Sequence, residues 1–239
     1  MTVGLNITPP FFEVGPKAYL YGPELLELAK VAAALGRTHG VDIIVTPPYP
    51  DIGSVAREVD GVHVFAQHMD WLPRGRGTGS VLPEAIKAAG AVGVQLNHVE
   101  RRLTREDLAR TMQRADEVGL ATMVCADDTQ DAVAVAEMGP SVIIVESPGM
   151  IAGGLRDEQG LNAVRMANEA IWSIDPAIRV LHGAGISVPA DVYDVIAAGA
   201  QGTGSSSAIF TAPDPKAMLE AMIRNVREAW NHAHPGDQP

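Results

Sequence analysis

Aromatic side chains are scarce, at 5% of 239 residues. The core must therefore be built from Ala, Val, Ile and Leu. A single cysteine, Cys125, excludes an intramolecular disulfide framework. No apolar run approaches the roughly 20 residues of a membrane span. The N-terminus lacks a basic stretch followed by an apolar one, so no secretory leader is expected. Positive charge is in deficit: 18 Lys and Arg face 29 Asp and Glu, for a net charge of −11. That argues against nucleic acid or an anionic membrane as a partner. A phosphorylated small molecule stays open, because local loops bind phosphate on an acidic protein. No cluster of His, Cys and carboxylate has metal-ligand spacing, so no metal and no cofactor are expected. The expected location is the cytoplasm.

What is present is a rhythm. Hydrophobic residues make up 46% of the chain. Short β-branched runs alternate with helical stretches: Phe11–Val14, Val41–Thr46, Val62–Ala66, Gly93–Leu96, Leu120–Val124, Val142–Val145, Ile178–Leu181 and, most weakly patterned, Ala200–Thr203. Helices are expected between them. One begins at Gly22-Pro23, with proline at the first helical position. Another begins at Thr104–Asp107 as a capping box, and the last covers Pro215–Trp230. Residues 1–10 read as an arm and 232–239 as a frayed polar tail. Eight strand–helix pairs with short connections predict a single-domain α/β fold, a (β/α)8 barrel over residues 1–239. A doubly wound sheet is the alternative, because periodicity does not reveal closure.

The stretch Ser141–Gly154 stands out. A buried strand ends on one carboxylate, Glu146, and a loop with Pro148, Gly149, Gly153 and Gly154 follows. A charge at the end of such a strand is costly unless it faces a polar cleft. The pattern fits a catalytic base followed by a mobile lid; a capping or salt-bridged glutamate before an ordinary loop fits it too. In a barrel the strand C-terminal ends share one face. That face collects Lys17, His68, His98 with Glu100, Cys125 with Asp127, Glu146, Gly183–Ser187 and Ser205–Ala208. Glycine and serine at the last two strand ends suit an anion, since backbone N–H groups can approach it closely. Each feature also has a structural reading: Lys17 as a surface lysine, His98 as a hydrogen-bonded core histidine, Gly183–Ser187 as a tight turn. His68 reads as structural and Cys125 as a packed thiol.

Several motifs carry a resemblance in order and spacing: Lys17-Ala18-Tyr19, Thr78-Gly79, Val81–Ala85, Leu96-Asn97-His98-x-Glu100-x-Arg102, Met123–Cys125, Val145-Glu146-x-Pro148-x-x-Ile151-x-x-Gly154 and Gly183–Ser187. Together they resemble the triosephosphate isomerase family, most nearly its short archaeal branch. The resemblance implies a metal-free aldose–ketose isomerase of glycolysis and gluconeogenesis. It would interconvert glyceraldehyde 3-phosphate and dihydroxyacetone phosphate through an enediol or enediolate. By the same resemblance, Glu146 is the base, His98 the neutral electrophile and Lys17 the electrostatic helper. Gly183, Gly185, Ser187, Ser206, Ser207 and Ala208 would hold the phosphate, and the lid with Ile151 and Gly154 would close over it. A neutral histidine beside a glutamate base, and a closing loop, are this family's own well-known devices.

Four positions depart from the family pattern. Gly15-Pro16 stand where Asn-Phe precedes the lysine. Val99 replaces the serine after the histidine. Gly149 replaces the lid glutamate, and Ala208 replaces a glycine whose absence is expected to crowd the phosphate. These departures point to a slow triosephosphate isomerase or to an isomerase of another phosphorylated ketose such as a tetrulose phosphate. A barrel that binds a phospholigand without turnover is the alternative from a different class. The resemblance further implies a homodimer or homotetramer, joined through the long loop Trp71–Gly79.

Overall fold

The computed structural model describes residues 6–146 and 158–236. Its centre is a closed barrel of eight parallel strands, each hydrogen-bonded to the next in sequence, with the eighth returning to the first. The strands are β1 (Phe11–Val14), β2 (Asp42–Val45), β3 (His63–Ala66), β4 (Gly93–Leu96), β5 (Ala121–Ala126), β6 (Val142–Val145), β7 (Arg179–His182) and β8 (Gly202–Ser205). Closure settles the choice left open by periodicity in favour of the (β/α)8 barrel. The connecting helices are α1 (Gly22–His39), α2 (Ile52–Glu58), α3 (Pro83–Ala88), α4 (Arg105–Val118), α5 (Thr129–Ala136), α6 (Glu158–Trp172), α7 (Pro189–Ala197), the short α8 (Ser207–Phe210) and α9 (Pro215–Ala233).

Strand alternation divides the apolar residues into two cores. Phe12, Val14, Ile43, Val45, Val64 and Val94 point outward into the layer shared with the helices. Phe11, Ile44, Phe65, Met123, Ile144 and Leu181 point inward and fill the barrel, with Cys125 among them. Large rings fit inside only because glycines stand opposite. A Cβ at Gly93 would lie 2.3 Å from the Phe65 ring, and one at Gly202 would lie 2.4 Å from the Phe11 ring. The barrel floor is thus packed by two phenylalanines into two glycine gaps.

Helix ends follow their local chemistry. The Asp128 and Asp214 side chains accept backbone N–H groups at the starts of α5 and α9, worth about 1 kcal/mol each. Thr104 caps α4 by accepting the Asp107 N–H at 3.0 Å, while its hydroxyl donates to the Asp107 carboxylate at 2.9 Å. The expected reciprocal box is therefore half formed, because the Asp107 carboxylate is engaged by the hydroxyl.

Several expectations are corrected. β8 lies two residues later than Ala200–Thr203, on Gly202–Ser205. Helix α9 runs to Ala233, past Trp230 and into the expected tail. The arm is anchored where described: Ile7 is buried at the barrel base, the Thr8 N–H donates to Asp42 Oδ2 at 2.8 Å, and Arg179 Nε donates to the Ile7 carbonyl at 3.3 Å. Helix α8 stands where the sequence pattern suggests only a turn. The loop 71–79 is long and exposed as expected, with Asp70 closing its base through the Val81 N–H at 2.7 Å. Among the described residues, no helix is long and apolar enough to cross a membrane.

Candidate active site

All eight strands end on one face, and a cavity of about 460 Å³ opens there. Lys17, His98, Glu146, Gly183, Gly185, Ser187, Ser206 and Ser207 all line it. Residues from several strand ends thus converge on one space. Ala208 is not among the residues lining the cavity; it packs against the outer core. Ile151, Gly154 and the whole lid over Ser147–Gly154, Gly149 included, lie outside the described residues.

Glu146 follows the last residue of β6, and its N–H donates to the Ala126 carbonyl at 2.9 Å. Its carboxylate turns into the cavity, with Oε2 3.8 Å from His98 Nε2. On its other side stands Gly183, where a Cβ would fall 2.5 Å from Oε1. Burial raises the Glu146 pKa above the ordinary carboxylate value. Lys17 and Arg102 draw it back, and Glu100 and Asp127 add to the rise. A carboxylate strengthened as a base in this way is suited to taking a proton from carbon.

His98 lies beyond β4, behind Asn97, whose backbone is left-handed at φ 59°. Asn97 pins this turn: its Nδ2 donates to the Cys125 carbonyl at 3.0 Å, and its Oδ1 accepts the Leu103 N–H at 3.1 Å. The Glu100 N–H donates to His98 Nδ1 at 3.1 Å. Nδ1 is therefore an acceptor, which assigns the ring proton to Nε2, facing Glu146. Burial depresses the His98 pKa, and the Lys17 and Arg102 charges depress it further against the pull of Glu100. The imidazole is neutral and presents an N–H to the cavity.

Lys17 is also held in left-handed backbone, at φ 48°. Strain of this kind in a non-glycine residue costs of order 1–3 kcal/mol and persists only where neighbours enforce it. Gln67 enforces it here, donating from Nε2 to the carbonyls of Lys17 at 3.0 Å and Thr46 at 2.9 Å. Lys17 Nζ bonds Glu100 Oε1 at 2.7 Å. His98 and Lys17 thus share Glu100 as a scaffold, through its backbone N–H and its carboxylate respectively.

The loop after β7 turns at Gly185, φ 75°. The buried Asp191 carboxylate accepts the N–H groups of Ser187 at 2.8 Å and Val188 at 2.9 Å, fixing the loop at the start of α7. Ser205 Oγ donates to the Ile186 carbonyl at 3.4 Å and joins this loop to the next. The Ser206 hydroxyl donates to the Gly15 carbonyl and ties that loop to the end of β1. Val99 lines the cavity with 44% of its surface exposed.

Two residues read as structural from sequence occupy structural places. Cys125 is 2% exposed inside the barrel, and burial pushes its thiol well up. His68 is 3% exposed with Nε2 3.3 Å from Asp70 Oδ1, although it also borders the cavity. Sequence reasoning missed Glu13, Thr46 and Gln95, which line the same cavity. The available signal was a charged residue, Glu13, at an inward position of a strand otherwise made of Phe and Val. Among the described residues, no group of three or more His, Cys, Asp or Glu side chains is placed to hold a metal ion.

Comparison with known proteins agrees with this geometry. The family model described as triosephosphate isomerase matches residues 17–222. A protein named triosephosphate isomerase from Methanosarcina barkeri is 38% identical over 220 residues, covering 91% of this chain and 99% of its own. One of the same name from Methanobacterium bryantii is 38% identical over 213 residues, covering 88% and 94%. Another from Sulfolobus acidocaldarius is 34% identical over 224 residues, covering 92% and 96%. With a closed barrel, a carboxylate facing a neutral imidazole at its mouth, and matches spanning nearly the whole chain, this protein belongs to the triosephosphate isomerase family.

Proposed function

We propose that this chain interconverts glyceraldehyde 3-phosphate and dihydroxyacetone phosphate, without a metal or cofactor. Family membership supports the reaction, and the retained trio Glu146, His98 and Lys17 supports the mechanism. The observation that carries it is the Glu146 carboxylate 3.8 Å from an imidazole whose proton sits on the cavity side.

The Glu146 carboxylate removes a proton from the carbon beside the substrate carbonyl. The C–H electron pair becomes the enediolate double bond, and the carbonyl electrons move onto oxygen. His98 Nε2–H and the Lys17 ammonium face that oxygen and stabilise its charge as preplaced donors. The former carbonyl oxygen takes a proton from His98 Nε2, which recovers one from the neighbouring hydroxyl. The proton on Glu146 then passes to the neighbouring carbon, and aldehyde becomes ketone or the reverse. Gly183, Gly185 and Ser187, with Ser206, Ser207 and the backbone at Ala208, hold the phosphate. Ile151 and Gly154 are the further substrate contacts that the resemblance implies, and water must be kept from the enediolate, since it would favour loss of phosphate.

A coupled assay with purified protein and glyceraldehyde 3-phosphate tests the reading. Turnover that falls at least 100-fold in Glu146→Gln is expected, since a positioned base contributes roughly 10²–10⁴. Absence of turnover in the wild type contradicts it. We further propose that the protein is cytoplasmic and that the exposed loop 71–79 joins copies into a dimer or tetramer. Cell fractionation checks the first statement, and a monomeric mass by light scattering contradicts the second.

A further inference from the structure

Glu13 is a carboxyl that the family mechanism leaves without a task. It projects inward from β1, one level above Phe11 and at the cavity floor. An ionisable group on the inner face of a barrel strand is costly unless it is used. Its surroundings are shaped around it. A Cβ at Gly15 would meet Glu13 Oε1 at 2.7 Å and Oε2 at 2.9 Å, and a Cβ at Gly204 would meet Oε2 at 2.8 Å. The Glu13 carboxyl therefore occupies the space that a side chain at residue 15 would enter. The Thr46 hydroxyl donates to Oε1 at 2.6 Å, and no other side chain among the described residues bonds Oε2.

We propose that Glu13 is a further substrate-contacting residue, whose Oε2 meets a hydroxyl or carbonyl oxygen of the bound sugar phosphate from the cavity floor. This rests on the reading of the cavity as a sugar-phosphate site. Burial raises the Glu13 pKa to about 7, with Glu146 adding to the rise and Thr46 and Lys17 opposing it. Near neutrality much of Glu13 is a neutral acid, able to donate a hydrogen bond to oxygen as well as accept one. Glu13 thus presents a polar group where residue 15 has no side chain, from two positions earlier on the same strand face.

The test is a cycle of Glu13→Val, Gly15→Asn and the double variant. We expect Glu13→Val to lower kcat/KM roughly ten-fold, the scale of one lost hydrogen bond. The loss should fall mainly on KM, with an unchanged inhibition constant for inorganic phosphate. Gly15→Asn alone should be impaired, because the two side chains collide. The double variant should recover to within about three-fold of wild type, and Glu13→Gln, which keeps a donor, should do the same. Unchanged kcat/KM in Glu13→Val overturns the proposal, as does a phosphate constant that rises in parallel with KM. If Glu13→Val does not fold, Glu13→Met, which keeps the bulk, is measured in its place: a ten-fold loss supports the contact, and unchanged kcat/KM overturns it. If the wild type shows no turnover, the isomerase reading falls, and calorimetric titration with dihydroxyacetone phosphate decides Glu13. Ten-fold weaker binding to Glu13→Val supports the contact, and equal binding overturns it.

Discussion

Gly183→Ala separates catalysis from stability at a single methyl group. The new Cβ would stand 2.5 Å from Glu146 Oε1, 3.3 Å from its Cδ and 3.4 Å from its Cγ. Only the carboxylate oxygen is seriously crowded, and it falls about 0.9 Å short of an ordinary contact. That oxygen ends a side chain free to turn, so relief comes from moving Glu146 rather than the barrel wall. Gly183 is not left-handed, so alanine also narrows the unfolded ensemble at no backbone cost, worth about 0.4–1 kcal/mol. Stability should therefore hold or rise slightly. Catalysis should not hold. Displacing a reacting group by about 1 Å costs on the order of 100-fold, and the displaced group is the proposed base. The assay is steady-state isomerisation beside a thermal melt, and kcat should fall far more than KM rises. A variant with unchanged melting temperature and kcat within about three-fold of wild type refutes the claim that Gly183 sets the position of the base.

Gly202→Ala should behave in the opposite way. Its Cβ meets the fully buried Phe11 ring at 2.4 Å with nowhere for the ring to go, so overpacking of about 1–3 kcal/mol should lower the melting temperature by several degrees; an unchanged melt contradicts the packing described. The pH dependence of stability carries a further test. Glu13 rises from an ordinary 4.5 to about 7, so the native state binds the extra proton, and this contribution is lost as pH rises from about 4.5 to 7. His182, buried with Nε2 donating to Asn168 Oδ1 at 2.8 Å, falls from 6.5 to about 4, so its contribution is present above pH 6.5 and lost as pH falls to 4. The two oppose each other, each at most on the order of 3 kcal/mol. Glu13→Gln should therefore lose stability more steeply than wild type between pH 7 and 4 in denaturant titrations, and parallel curves contradict the Glu13 shift.

The parts legible in the sequence are those where one physical pattern dominates. Runs such as Val142–Val145 read as buried strands because four consecutive β-branched residues suit little else, and β1, β4 and β6 are found at the expected residues. β8 escapes placement because Gly202-Thr203-Gly204-Ser205 carries no hydrophobic pattern. Its glycines serve Phe11 and Glu13, which belong to the neighbouring strand, and such a requirement is invisible along the chain. Gly15 reads as a missing amide for the same reason: the group filling its space lies on another residue. The convergence of Lys17, His98, Glu146 and the loops at Gly183–Ser187 and Ser206–Ser207 is legible because barrel topology forces strand ends together. The scaffolding by Glu100, Asn97, Gln67 and Asp191 is not, since it depends on side-chain directions that spacing does not encode.

Everything proposed for the cavity depends on Glu146 carrying a proton between two carbons of a sugar phosphate. Isomerisation in deuterated water, followed by proton NMR, reads that transfer itself. A proton held on Glu146 can exchange with solvent before it returns, so the product should carry deuterium on the carbon that receives it. Both isomerisation and labelling should fall by about two or more powers of ten in Glu146→Gln. Isomerisation or labelling that persists undiminished in Glu146→Gln would contradict the role of Glu146.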